Sequence, residues 1–429
     1  MRIAFTVTWK KIVALLAVGV LGALLVGWSG FVSISASSGH YSPVIWFLHW
    51  TMRNAVATQA ASVSVPEDID LADPALVQRA AGHFATDCAF CHGAPGVEQS
   101  PVTQAMMPPP PRLEGQVGRW KDRELFWIGQ HGIKYSGMPA WVSQERPDEV
   151  WAMVAFLRAL PAITPVQYAQ MALGGTGATS PPPVGNASTA LGAIGDIALA
   201  DCSRCHGRDG LGVAAFTKAA AGAVPVIAGQ PEAYLVETLR AYAAGTRHSG
   251  YMQGPAARYD DTVRAALAAH YAGQPTPAGA IPSTTRERVA SSLPEAAPEG
   301  SALARSRAAM ARVVPNAAAY GAPYDQPGLL DLGRQMATEG LPWRKLPACD
   351  SCHGSVTKAS ADAARYPYLA GQPAWYLSTH LKLWRDGERA GTPNAHLMDK
   401  IAIHLTDEQI AAVSAWYATQ PLGRPIPSN

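Results

Sequence analysis

Six cysteines and three histidines occur in a five-residue pattern that the sequence repeats three times. The pattern is C-x-x-C-H, and its copies are Cys88-Ala-Phe-Cys91-His92, Cys202-Ser-Arg-Cys205-His206 and Cys349-Asp-Ser-Cys352-His353. Two thiols at this spacing can form thioethers with both vinyl groups of a haem, and the adjacent imidazole can ligate its iron. The three copies use all six cysteines of the chain. The pattern therefore predicts three covalently bound haem c groups.

Two other uses of paired cysteines explain less of the pattern. A disulfide framework also needs an even number of cysteines, but it gives no reason for a histidine directly after each pair. A zinc site needs C-x-x-C pairs in twos, and three pairs leave one without a partner. Covalent haem is the interpretation that accounts for every copy.

A methionine follows each motif at nearly the same distance. Met138, Met252 and Met398 lie 46, 46 and 45 positions after the histidines of their motifs. A recurrent offset of this length indicates duplicated structural units. His/Met ligation fills both axial positions of the iron and raises its reduction potential, which suits electron transfer. The predicted iron ligands are His92, Met138, His206, Met252, His353 and Met398.

Histidines near these methionines are alternative ligands. His131, His248 and His396 precede the three methionines by 7, 4 and 2 positions. Any of them would give a bis-His haem with a lower reduction potential than a His/Met haem.

Composition excludes some classes of partner. The chain has 429 residues, of which 48% are hydrophobic and 15% charged, and its formal net charge is +2. Such a chain is folded rather than disordered, and its length suggests about three domains. It has no run of basic residues that would indicate nucleic-acid binding.

The N-terminal segment has the composition of a membrane span. Arg2, Lys10 and Lys11 precede an uncharged run of 23 residues, from 12 to 34. As a helix this run is about 34 Å long, enough for a hydrocarbon core of about 30 Å. The charge pattern places the N-terminus in the cytoplasm, so we expect an uncleaved single-pass anchor in a bacterial inner membrane, with the haem units in the periplasm. A signal peptide cleaved near Ser33-Ile34-Ser35 is the alternative, although its apolar region is usually shorter.

Each motif lies in the same order of predicted elements. A helical segment leads into the motif, a methionine loop follows, and a closing helix starts at Pro147, Asp260 or Asp407. This order is typical of small c-type domains and predicts an all-α fold, with three cytochrome c domains in tandem behind an N-terminal transmembrane helix. The predicted boundaries are 1–35 for the transmembrane anchor, 36–72 for a membrane-proximal segment, 73–161, 191–274 and 326–421 for the haem domains, and 162–190 and 275–325 for linkers.

The membrane-proximal segment is rich in aromatic residues between Tyr41 and Trp50. We expect it either to lie at the membrane interface, where Trp and Tyr collect, or to pack on the first haem domain or on a partner subunit.

The residues around the second and third motifs resemble the tandem domains of dihaem cytochromes c. Both have Cys-His-Gly, an Ala-Gly-Gln-Pro sequence at 228–231 and 370–373, and a Gly-x-Arg at 245–247 and 387–389. The first domain resembles another single-haem group through its Cys91–Gly96 segment and through the residues from His131-Gly132-Ile133-Lys134 to Gly137-Met138-Pro139-Ala140-Trp141. The whole chain resembles the membrane-anchored trihaem cytochrome subunit of periplasmic dehydrogenases. Molybdenum-dependent aldehyde dehydrogenases of acetic acid bacteria are the leading match, and quinoprotein alcohol dehydrogenases come second.

This resemblance implies an electron-transfer subunit of a respiratory dehydrogenase complex. Catalytic subunits, including molybdenum and iron–sulfur subunits, would oxidise the aldehyde, and three His/Met haems would pass the electrons to ubiquinone or a terminal oxidase. The chain itself has no nucleotide-binding loop, H-E-x-x-H motif or nucleophile elbow, so no catalytic residues are predicted. Two alternatives stay open: a peroxidase-like haem enzyme with one open iron site, and a tethered electron shuttle without a stable partner.

Overall fold

The computed structural model describes residues 8–67, 69–174, 193–212, 220, 222–276, 326–355 and 365–422. These residues form helices joined by turns, and within the described ranges the only β-structure consists of isolated bridges. The predicted all-α fold class is confirmed. The greater part of both predicted linkers, residues 175–190 and 277–325, lies outside the described residues.

Helix α1, Trp9–Ser29, is the apolar N-terminal helix. It ends at Gly30, whose φ of 70° lies in the left-handed region that favours glycine. Its mean hydropathy is 2.4, and none of its residues is buried. In the part of the chain that the structure describes, α1 alone is long and apolar enough to cross a membrane. A membrane anchor and a signal sequence share this composition.

Helix α2, Ser42–Gln59, joins α1 to the first haem motif region. Its first half is exposed, including Trp46 and Trp50, whose rings stack at 6.2 Å between centroids. Its second half packs on the next helices, because Val56 is buried and the Arg53 guanidinium lies 5.4 Å from the centre of the Trp120 ring. The helix therefore combines an exposed aromatic end with a packed end.

The first helical unit surrounds one hydrophobic core. Its helices are α3 Pro74–His83, α4 Ala89–His92, α5 Pro101–Gln104, α6 Asp122–His131, α7 Pro147–Ala159 and α8 Pro165–Ala172. Helix α3 begins after Asp73, whose carboxylate accepts a hydrogen bond from the N–H of Ala75 at 2.9 Å. Phe84, Phe156 and Tyr168 meet in the core, which joins α7 and α8 to the turn before the first motif.

Helix α8 lies in a segment that the sequence pattern assigned to a linker. Thr164 and Gln167 form a capping box at its start, and the helix buries Tyr168 and Met171 in the first core. Burial of Tyr168 and Met171 keeps this segment packed on the first unit as far as residue 172, although the residues after it are rich in Gly and Pro.

The second and third helical units have cores of their own. The second unit contains α9 Ala193–His206, α10 Glu232–Ala243, α11 Gly250–Ala257 and α12 Asp261–Ala272. The third contains α13 Gln326–Thr338, α14 Asp350–His353, α15 Ala374–Arg385, α16 Ala395–Ala402 and α17 Asp407–Thr419. In the third unit α13 crosses α17 so closely that a Cβ on Gly333 would collide with the carbonyl of Ala412. A glycine is therefore required where these two helices meet.

Candidate haem sites

Each C-x-x-C-H motif lies on a short helical segment that ends at its histidine. The first motif continues from a π-helical turn, Phe84–Cys88, into α4; the second closes α9; the third forms α14. A glycine follows each histidine with a positive φ, 69°, 69° and 70° at Gly93, Gly207 and Gly354. The left-handed residue ends the helix, so that each imidazole is the last side chain before the backbone turns away.

A proline carbonyl accepts a hydrogen bond from the Nδ1 of each motif histidine. The distances are 2.8 Å from His92 to the Pro111 oxygen, 3.3 Å from His206 to the Pro225 oxygen, and 2.8 Å from His353 to the Pro367 oxygen. Since a carbonyl can only accept, Nδ1 carries the proton in all three rings. The lone pair of Nε2 is then free for iron, and the ring orientation is held from behind.

The sequence did not reveal that these prolines hold the motif histidines. They follow their histidines by 19, 19 and 14 residues, so no constant offset marks them. Pro225 and Pro367 lie within short apolar or aromatic stretches, whereas Pro111 ends a run of four prolines and precedes Arg112, so the three share no local signal.

Burial shifts the pKa values of the motif histidines and of the first cysteine in each motif. Burial lowers the pKa of all three imidazoles, that of His206 to about 4, although the bond to the proline carbonyl acts in the opposite direction. The rings are therefore neutral at pH 7 and can ligate a metal. Burial raises the pKa of Cys88, Cys202 and Cys349 to about 12. None of the six cysteines forms a disulfide.

The second and third motifs open onto one shared apolar cavity. Its lining includes most of the predicted site residues of both units: Cys202, His206, Met252, Cys349, Cys352, His353 and Met398. The alternative ligands lie elsewhere. His248 places its Nδ1 2.7 Å from a carboxylate oxygen of Glu145, and the exposed His396 places its Nδ1 3.1 Å from the carbonyl of Pro393. This arrangement favours the methionines.

In the first unit, separate contacts hold the motif and the methionine loop. The N–H of Met138 donates to the Ser136 hydroxyl at 3.2 Å, and its carbonyl accepts from the N–H of Ile133 at 3.2 Å. The competing His131 is exposed and packs on Trp127. The pairing of Met138 with His92 is an inference from their sequence offset.

Two arginines from the Gly-x-Arg segments meet between the second and third units. Arg247 and Arg389 pair through an antiparallel β-bridge, and the Nε of each is buried without a hydrogen-bond partner among the described residues. The Arg247 side chain donates only to hydroxyls, including that of Tyr376 at 3.1 Å. Burial would raise the pKa of Tyr234, but the two guanidinium charges outweigh it and lower the pKa to about 7.

The pair formed by Arg247 and Arg389 suits the edge of a haem that carries its two carboxylates. Burial and repulsion from Arg247 both lower the pKa of Arg389, so the site lacks negative charge. The two carboxylates that every haem carries would supply it, in the same cavity that the thiols, imidazoles and thioethers line. The residues present therefore fit haem in both units.

The first unit contacts the second at its haem motif. Gly82 in α3 lies against the Sγ of Cys205 so closely that a Cβ there would collide with the sulfur. A Cβ built on Gly254 would lie 3.8 Å from the carboxylate of Asp87, the residue before Cys88. The helix that leads into the first motif thus contacts the second motif, and the residue before Cys88 lies close to α11.

Different parts of the chain are similar to known cytochromes and to electron acceptors of a dehydrogenase. The family model for cbb3-type cytochrome c oxidase subunit III matches residues 75–157. The thiosulfate dehydrogenase electron acceptor of Thiomonas intermedia (strain K12) is 33% identical over 224 residues, which cover 52% of this chain and 80% of that protein. The protein of the same description from Stutzerimonas stutzeri (strain A1501) is 30% identical over 217 residues, 51% of this chain and 77% of its own length. The crystal structure of reduced recombinant cytochrome c4 from Pseudomonas stutzeri matches 55% of this chain and 100% of that chain, at 23% identity and a TM-score of 0.38.

Proposed function

Because this chain belongs to the c-type cytochromes, in a family with the thiosulfate dehydrogenase electron acceptors, we propose that it is the electron-transfer subunit of a periplasmic dehydrogenase complex. It takes electrons from a catalytic subunit and passes them through three His/Met haems to ubiquinone or a terminal oxidase. The observation that carries this proposal is the repeated histidine geometry, in which a proline carbonyl holds Nδ1 and leaves Nε2 for iron.

When bound, haem supplies one-electron chemistry, and the chain supplies attachment, ligands and environment. The cysteines of each motif would hold the macrocycle, and the motif histidine and the downstream methionine would close its axial positions. A closed iron exchanges electrons without binding substrate or oxygen. The buried guanidinium groups of Arg247 and Arg389 would stabilise the haem carboxylates between the second and third units.

The contacts between units support a linear relay in sequence order. Helix α3, which leads into the first motif, meets the second motif where Gly82 packs on Cys205. The second and third motifs share one cavity. A haem held by the second unit would then lie between the other two and would relay electrons from one to the other.

Two candidate substrates follow from different observations. The sequence resemblance to trihaem subunits supports an aldehyde-oxidising partner with molybdenum and iron–sulfur subunits. The relatives named as thiosulfate dehydrogenase electron acceptors support a partner that oxidises thiosulfate.

The membrane placement is the same for both substrates. Helix α1 would anchor the haem units at the periplasmic face of the inner membrane, and the exposed aromatic end of α2 would lie close to that membrane.

Purification in mild detergent tests the proposal. We expect the chain to co-purify with catalytic subunits, and we expect aldehyde or thiosulfate, added separately, to reduce its haems in the isolated complex. A single-subunit product that neither compound reduces would favour the tethered shuttle. Carbon monoxide binding to the reduced protein would favour the peroxidase-like enzyme instead.

A further inference from the structure

A carboxylate of the first unit lies inside the second unit. Glu149 belongs to α7, yet its side chain reaches the start of α11 and is only 1% exposed. Its Oε1 accepts a hydrogen bond from the Ser249 hydroxyl at 2.6 Å, and its Oε2 accepts one from the backbone N–H of Gly250 at 2.6 Å. Burial raises the pKa of the Glu149 carboxyl, and these two bonds act in the opposite direction, as does the charge of Arg146.

The first unit holds the same carboxylate from its other side. The Arg146 guanidinium lies 2.9 Å from Oε1, and the Trp141 indole N–H donates to Oε2 at 3.3 Å. Glu149 thus accepts from four donors, two from each unit. A negative charge is also favourable at the N-terminus of α11, where the backbone N–H groups point outward.

Helix α11 carries Met252, the proposed ligand of the second haem iron. The Ser249 hydroxyl that donates to Glu149 also accepts from the backbone N–H of Met252 at 3.2 Å. A continuous chain of two hydrogen bonds therefore joins the Met252 backbone to a side chain of the first unit. In contrast, the N–H of Met138 donates to Ser136 within its own unit.

Two further bonds hold the residues on either side of this turn. The Tyr251 hydroxyl donates to the backbone carbonyl of Glu149 at 2.7 Å, and Arg146 donates to the carbonyl of His248 at 3.0 Å. Each residue from 248 to 251 is thus hydrogen-bonded either to Glu149 in α7 or to Arg146, which directly precedes α7. The first unit does more than contact this turn: it determines its position.

We propose that Glu149 is a positioning residue for haem 2: by holding residues 249–252 it keeps the Met252 thioether on the iron. The reduction potential of haem 2 then depends on the docking of the first unit. This inference rests on the proposed His/Met ligation. If Glu149 is removed, Ser249 and the Gly250 N–H lose their acceptor and Arg146 loses its buried counter-charge, so the turn relaxes.

The test uses the full chain with its three haems, purified from membranes in detergent. Glu149→Ala and Glu149→Gln are compared with Asp148→Asn. Asp148 accepts from the same Arg146 at 2.8 Å but has no bond to residues 249–252, so its variant removes a neighbouring charge without removing an acceptor of those residues. Glutamine keeps the volume and one acceptor oxygen, which preserves folding if alanine does not.

The readouts are the thioether-to-iron absorption of the oxidised protein and a redox titration resolved into three components. For Glu149→Ala we expect about one third of the thioether absorption to be lost, because one of three haems is affected. One potential falls and two stay unchanged; Glu149→Gln gives a smaller shift of the same component, and Asp148→Asn gives none. Unchanged absorption and potentials in both Glu149 variants, or equal shifts of all three haems, would overturn the proposal.

Met252→His separates this inference from the function on which it rests. It should lower the potential of the same component that Glu149→Ala lowers. If Met252→His moves one potential and the Glu149 variants do not, the ligand assignment stands and the positioning role is wrong. If Met252→His moves none, the ligand assignment itself is wrong.

Discussion

Gln230 and Gln372 cross the boundary between the second and third units in a reciprocal pair of contacts. Gln230 bonds both backbone groups of Tyr368, accepting from its N–H at 2.9 Å and donating to its carbonyl at 3.0 Å. Gln372 does the same to Val226, at 3.0 and 2.7 Å. Both glutamines come from the repeated Ala-Gly-Gln-Pro sequence, so the duplicated sequence gives a two-fold arrangement around the shared cavity.

Replacing one of these glutamines should weaken the interface between the second and third units. Gln372→Leu keeps the size of the side chain but leaves the N–H and carbonyl of the buried Val226 unsatisfied. We expect a loss of about 1–3 kcal/mol per unsatisfied group in the free energy of unfolding. Urea denaturation followed by circular dichroism measures it. Gln104→Leu, at an exposed position in the first unit, is the control and should cost much less; equal losses in both variants would contradict the role given to Gln372.

Removing one of the two buried arginines should lower a haem potential. Arg247→Met takes away a positive charge from the cavity between the second and third haems, which favours the oxidised, more positive iron. At an effective dielectric constant of about 20, the expected fall is on the order of 0.1 V for the nearer haem. A spectroelectrochemical titration measures it, and the first haem should be unaffected. The control is Arg240→Met, because Arg240 is half exposed and pairs with Asp261 at 3.1 Å; a similar shift in that variant would refute the assignment.

The buried His380 should make stability fall in mild acid. Burial lowers its pKa well below the usual value, and the charges of Arg389 and Arg247 act in the same direction. Between this lowered pKa and about 6.5, the unfolded chain binds a proton that the folded protein does not. Stability therefore rises with pH in that window, by at most about 1.4 kcal/mol per pH unit, and the contribution of His380 is lost as the pH falls below 6.5.

Threonine is the matched replacement, because Thr238 occupies the corresponding position after the Ala-Gly-Gln-Pro sequence of the second unit. Urea midpoints measured at pH 5, 6 and 7 should differ less in His380→Thr than in the wild type, and the pH dependence that remains in the variant belongs to the other buried histidines. The same pH dependence in both proteins would mean that another group titrates.

The sequence predicted the elements whose signals are local. The closing helix of the third unit begins at Asp407 as expected, with Thr406 and Gln409 forming its capping box. The helical segment expected before the first motif is α3, which begins at Pro74 after its cap Asp73. Caps, proline positions and apolar periodicity depend on neighbours within a turn or two, so they can be seen in one sequence.

The contacts that shape the sites were not predictable in this way. Glu149 matched the acidic first turn of a helix, which is an ordinary surface pattern, but its partners Ser249 and Gly250 lie about a hundred residues away. Gln230 and Gln372 were noticed only as parts of a repeated motif. Partners so distant in sequence become visible only when the units are packed together.

The count and ligation of the haems test the central claim most directly. Optical and electron paramagnetic resonance spectra of the purified, full-length protein should show three low-spin haems, thioether absorption for each in the oxidised state, and no change when carbon monoxide is added to the reduced state. A high-spin component, a haem without thioether absorption, or a carbon monoxide complex would contradict three closed His/Met centres.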